Sequence, residues 1–160
     1  MTIDDEPHYE HSHIGYNYQM SNIVVGIVRG QMTVLDEWIN LRRNINQWYR
    51  TLLKDIDFIS FQDELAGFFR NYGLTAIYVG NNHYDINREA IRFHLLEDNI
   101  DSRPLWKPMH LQPIFESYPS YLNDVSDDLF KFGLCLPSES NLTDEQKDRI
   151  SSKLIGLFNK

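Results

Sequence analysis

A single cysteine, Cys135, leaves this chain of 160 residues without any internal disulfide. Its setting in the apolar run "FGLCLP" points to a buried, inert thiol rather than a nucleophile. That usage fits a reducing, cytoplasmic setting. No apolar run approaches the roughly 20 residues that span a bilayer, and the opening "MTIDDEP" is acidic where a leader or transit peptide is basic. The expectation is a protein that is neither exported nor held in a membrane. Basic residues are scarce and scattered against a formal net charge of −8, which argues against nucleic acid, because phosphate contacts need a basic patch. Also missing are a phosphate-binding glycine loop, since "GNNHYD" matches neither the Walker nor the dinucleotide pattern, and a G-x-S-x-G elbow that would arm a serine.

What is present is an ordinary globular composition, 42% apolar and 24% charged, in a length that suits one domain. From Met20 to Lys54 apolar residues recur at helical spacing, which predicts one long helix or two separated by a kink, with Ser21 as N-cap. Gly26 and Gly30 lie inside it, each weakening the helix by about 1 kcal/mol relative to alanine. "LTAIYVG" and "FGLCLPS" have the content of short strands. Asn87 caps a helix running to about Asp98. "IDSRPLWKPMHLQP" holds three prolines, so it is an edge strand or an ordered connection, never a central strand. Thr143 with Gln146 forms a capping box opening a terminal helix. The stretch between Lys54 and "LTAIYVG" reads as irregular. The fold class is therefore α+β, a long N-terminal helix with a small, mostly antiparallel sheet packed with helices. The division is an N-terminal segment, 1–19, and a single domain, 20–160.

Three segments bear on chemistry. His8, His11 and His13 have imidazoles suited to zinc, copper or nickel, but no helical pairing and no nearby cysteine, so a surface loop is the stronger reading over a metal-binding or hydrolytic site. "GYNYQMSN" feeds a helix N-terminus, where backbone N–H groups and the helix dipole favour an anion such as a phosphate. "RPLWKPMHLQP" gathers Arg103, Trp106, Lys107, His110 and Gln112 in a proline-stiffened stretch that offers stacking, charge and hydrogen bonding together.

In these segments the chain resembles the fold-type I, pyridoxal-phosphate-dependent sugar aminotransferases of the DegT/DnrJ/EryC1/StrS group. The motifs that carry the resemblance are "HYEH", "IGYNYQMSNI", "VRGQM", "LDEWINLRRNINQWY", "SRPLWKPMHLQPIF" and "GLCLPSESNLT", in order along the chain. The resemblance implies the C-terminal small domain of such an enzyme, with the large domain that carries the Schiff-base lysine absent, for none of the six lysines occupies that lysine's place. It implies pyridoxal 5'-phosphate as cofactor of the complete enzyme, a nucleotide-linked 4-keto-6-deoxy sugar and an amino-acid donor as its substrates, and a role in polysaccharide synthesis. A lysine amine is needed to hold the cofactor and shuttle the proton, so this chain is not expected to transaminate alone. The partners so implied are a separate large-domain polypeptide and a second copy of the chain.

Residue by residue, the resemblance assigns Asn17, with Gln19 beside it, to the cofactor phosphate across a dimer interface. It assigns His110, Trp106 and Lys107, supported by Arg103, to the sugar nucleotide. Two positions depart from the pattern. Gln19 stands where relatives carry arginine, which removes a fixed positive charge, and Glu139 stands where they carry glycine. The readings from another class are a non-catalytic sugar-nucleotide-binding or dimerisation module, and an inactive gene remnant.

Overall fold

The computed structural model describes residues 18–80 and 86–158. The chain divides into two units, Met1–Asp36 and Glu37–Lys160.

In the first unit, α1 spans Asn22–Met32. Ser21 caps it as expected, its Oγ accepting from the Val24 N–H at 3.3 Å. The helix ends where Thr33 folds back, donating from both its N–H and its hydroxyl to the Gly30 carbonyl. A turn at Thr33 and Val34 then precedes α2, Leu35–Leu52. Of the two forms the sequence allows, one long helix or two, the chain takes the second. None of the α1 residues is buried.

The second unit is built on a sheet of four strands, β1 (Ile59–Phe61), β2 (Thr75–Val79), β3 (Arg103–Pro104) and β4 (Gly133–Leu136), in the order β1-β2-β4-β3 with every pairing antiparallel. Side chains alternate along β2: Thr75, Ile77 and Val79 are buried, while Ala76 and Tyr78 are half-exposed on the other face. Three helices cover the buried face. Ile45, Tyr49 and Leu53 come from α2 and the residue after it, Ile91 and Leu95 from α3 (Arg88–Leu96), and Ile150 and Leu154 from α5 (Asp144–Phe158). With Ile77, Val79, Leu134 and Leu136 they form one core, in which each fully buried aliphatic side chain is worth roughly 1.5–3 kcal/mol. Only the second half of α2 takes part, since Leu35, Trp38 and Leu41 remain exposed.

The helix caps follow the sequence closely. Asn87 Oδ1 accepts from the Ala90 N–H at 2.9 Å. Thr143 and Gln146 close their box reciprocally, N–H to Oε1 at 2.9 Å and N–H to Oγ1 at 3.2 Å. The proline-rich segment supplies the two-residue edge strand β3 and then two 3-10 turns, Met109–Leu111 and Pro113–Phe115.

Two elements are new. β1 lies in the stretch that reads as irregular. α4, Val125–Phe132, is not among the predicted helices; its N-cap Asp124 adopts a left-handed conformation (φ 61°) and makes no side-chain cap bond. Asp127 and Asp128 in its first turn favour the positive end of the helix dipole instead.

Arginines of α2 pin the long connection between β1 and β2. Arg43 Nη1 meets Glu64 Oε2 at 2.7 Å and also donates to the Arg70 carbonyl, with its guanidinium 4.5 Å above the Phe69 ring. Arg50 donates to the Gln62 carbonyl at 2.7 Å and to Asp63 at 3.1 Å. The hydrogen bond from Arg43 holds the Glu64 carboxyl below the usual carboxylate range. A lowered acid gives stability that is present above its unfolded value and lost as pH falls through the folded one. Arg43→Met is therefore expected to lower the urea midpoint at neutral pH, and the gap from the parent chain should narrow as the solution is acidified through the glutamate range.

Candidate functional site

The sheet face opposite the core is partly open. Register places Ala76 opposite Cys135, and Cys135 opposite Arg103, so these three share that face. A cleft of about 500 Å³ lies here, lined by Arg42, Ser102, Arg103, Trp106, Cys135 and Glu139 among others. A second of about 710 Å³ adjoins it through Leu74, Trp106 and Cys135, and reaches Tyr72 and Ala76. Small side chains on two neighbouring strands leave the floor low, while Trp106, 73% exposed, forms a wall of both clefts.

A buried polar knot shapes one end of the first cleft. Arg42, brought in by α2, donates from Nη1 to the Ser138 carbonyl at 3.2 Å and to the Gly73 carbonyl, tying the loops that flank β2 and β4. Ser138 Oγ accepts from the Thr75 N–H at 2.8 Å and donates to the Leu136 carbonyl at 2.6 Å. Tyr49 donates from its hydroxyl to the Pro137 carbonyl at 3.0 Å. Burial, with the negative charge of Glu139 adding to it, pushes the Tyr49 hydroxyl far above the usual tyrosine range, so it stays a donor. Tyr49→Phe removes that donor and strands a carbonyl, with an expected loss of about 1–3 kcal/mol in urea unfolding. Cys135 is buried, and burial raises its thiol, which makes it the poor nucleophile that the sequence suggests.

The residues singled out in the sequence separate into groups. Asn17 lies outside the described residues, as do His8, His11 and His13 and the first three residues, 15–17, of the expected anion-facing loop. Gln19 is exposed ahead of α1. Arg103 and Trp106 are brought together at the first cleft, with Arg103 Nε 3.0 Å from Asp101 Oδ2. Lys107 is exposed and His110 is turned toward α4, its Nε2 2.7 Å from Asp127 Oδ1. Neither of these two lines either cleft. Arg42 and Ser138 were not foreseen as cleft residues: both lie inside conspicuous motifs, but nothing local distinguishes Arg42 from a helix-surface arginine. Among the described residues no group of three histidines, cysteines or carboxylates could hold a metal ion, and no helix is long and apolar enough to cross a membrane.

A comparison with protein families gives a match to the DegT/DnrJ/EryC1/StrS aminotransferase family over residues 1–155. The chain belongs to this family. Among its curated members, the Bacillus subtilis protein named "Putative pyridoxal phosphate-dependent aminotransferase EpsN" is 41% identical over 157 residues, which is 94% of this chain and 39% of that protein. The GDP-perosamine synthase of Escherichia coli O157:H7 is 31% identical, over 86% of this chain and 36% of its own length. Among solved structures, a DegT DnrJ EryC1 StrS aminotransferase from Brucella abortus superposes with a TM-score of 0.79 at 25% identity, over 97% of this chain and 40% of that one. DesV of S. venezuelae, solved in complex with a ketimine intermediate, shares the fold with a TM-score of 0.82 at 18% identity, over 98% of this chain and 41% of that one. The chain thus spans about two fifths of the relatives it matches.

Pyridoxal phosphate is the family's cofactor. It requires a lysine amine in a pocket, and the described lysines do not offer one. Lys147 pairs with Asp144 at 3.1 Å, Lys153 lies 3.9 Å from Glu97, Lys131 lies over Phe132, Lys54 is exposed beside Asp55, and no lysine lines either cleft. The described residues of this family member do not by themselves make a cofactor site.

Proposed function

We propose that this chain supplies the small-domain wall of a nucleotide-sugar aminotransferase site. The rest of the site, with the lysine that carries pyridoxal phosphate, belongs to the polypeptide corresponding to the other three fifths of the relatives' length. The observation that carries this reading is the family match across residues 1–155, in which the "SRPLWKPMHLQPIF" segment forms the rim of an open cleft. Trp106 offers a flat, exposed ring and Arg103 a guanidinium beside it, a pairing suited to a base or sugar carrying a phosphate. Lys107 and His110, which line neither cleft, are assigned to the same ligand by the family resemblance alone. Asn17 and Gln19 are assigned to the cofactor phosphate of a partner subunit. The substrate class is a nucleotide-linked 4-keto-6-deoxy sugar, in line with relatives named GDP-perosamine synthase and dTDP-4-amino-4,6-dideoxy-D-glucose transaminase.

Co-expression with the complementary part of the Bacillus subtilis relative tests the reading. Amination of a GDP- or dTDP-linked 4-keto-6-deoxy sugar is expected from the pair and from neither part alone. A stable complex that binds pyridoxal phosphate yet aminates neither sugar would sink it.

Without that partner the chain exposes Ile23 and Ile27 on α1, and Phe68, Phe69, Ile114 and Tyr121 in its second unit. Self-association is expected as the concentration rises. Light scattering that shows a monomer at every concentration would count against it.

A further inference from the structure

We propose that His110 and Asp127 form a clasp that fixes the Trp106-bearing segment along the open face of the sheet. His110 is then a positioning residue for the cleft, acting through Asp127, and Trp106 with Arg103 are the side chains that meet a ligand. The proposal rests on the reading above only for what the cleft binds.

The segment after β3 has little of its own to hold it. Trp106, Met109, Leu111 and Ile114 are all exposed. Its upstream end is anchored where the Leu105 N–H donates to the Gly133 carbonyl at 3.2 Å. Four residues past Trp106, the His110 side chain turns inward, 15% exposed, and its Nε2 reaches Asp127 Oδ1 at 2.7 Å. The two atoms face each other without the alignment of a hydrogen bond. Both are sealed from solvent, and neither has a hydrogen-bond partner among the described residues. Removing either side chain leaves the sealed atom of the other with nothing facing it.

The far side of the clasp is firm. α4 is seated by Phe132 against Tyr78, ring centroids 5.4 Å apart, and by Arg88, which donates to the Phe130 carbonyl. Since His110 lines neither cleft, its nearest route to a ligand is through the position it gives to Trp106.

Amide hydrogen exchange on the chain as it stands tests this, in the parent, His110→Gln, Asp127→Asn and the double variant. The reporters are the Leu111 and Gln112 amides, which bond to the Pro108 and Met109 carbonyls at 3.1 and 3.0 Å. Each single variant is expected to speed their exchange about tenfold or more, with the double variant no faster than either single and β4 unchanged. Unchanged reporters, or effects that simply add, would overturn the proposal. So would a joint loss of protection in β4, since the pair would then hold the whole unit rather than this segment.

A second readout addresses position. Titration with GDP and with dTDP, followed by Trp106 fluorescence in a Trp38→Phe/Trp48→Phe background, should show equal weakening in the two single variants if His110 acts through Asp127. Weakening in His110→Gln alone would make His110 a ligand contact and overturn the positioning role. Failure of the parent chain to bind either nucleotide would tell against the nucleotide-sugar reading, and the exchange result would stand apart from it.

Discussion

Gly133→Ala is expected to destabilise the second unit by about 3 kcal/mol or more, the upper end of what overpacking does. Gly133 opens β4 with an ordinary φ of −88°, so conformational freedom is not why glycine is there. The reason is close approach. A Cβ at this position would drive into the Leu105 side chain and the Leu129 carbonyl oxygen. The leucine tip can turn aside, but the carbonyl belongs to the last turn of α4 and already accepts the Gly133 N–H. The helix would have to lift from the sheet, and the Leu105 anchor of the cleft segment would go with it. A fall in Tm on the order of 10 °C is expected. Adding Leu105→Ala should recover only a minor part of it, and full recovery would mean that the side chain, not the helix, sets the limit.

The second large effect lies on the other side of the sheet. Leu154→Ala should cost about 2–5 kcal/mol, since the side chain is completely buried and the rigid elements around it relax only partly into the cavity. It sits in the core with Ile91 and Leu95 of α3 and with β4. Ile155, half-buried on the same helix, gives the control: Ile155→Ala should lower the urea midpoint much less. Equal losses at the two positions would show that α5 packs with a different face.

How far these features could be read beforehand depended on how local their causes are. The terminal helix was legible because Thr143 and Gln146 satisfy each other within one turn, and α3 because Asn87 does the same for Ala90. β2 and β4 were legible from their β-branched and apolar content. β1 was not, because Ile59–Phe61 is three residues long and becomes a strand only by pairing with β2. α4 is only eight residues long, and the aspartates at its start, Asp124, Asp127 and Asp128, suit a turn as well as a helix.

The site divides in the same way. Arg103 and Trp106 stand out as residue types in a stiff segment and do line the cleft. Arg42 takes its place there through carbonyls 31 and 96 residues away in sequence. The inward turn of His110 depends on an aspartate in a helix that the sequence did not announce. Spacing along one segment reports none of these.

The brevity of β3 has a bearing on how the chain behaves in a crowd. The sheet ends on that side in two residues, and one of them, Pro104, has no N–H to offer to a further strand. Growth of the sheet from chain to chain is therefore blocked at this edge. The contacts left to an unpartnered chain there are side-chain contacts through exposed aromatic and aliphatic groups, which form and dissolve with concentration. Strand-by-strand polymerisation through β3 is disfavoured, and association by that side of the molecule rests on side chains.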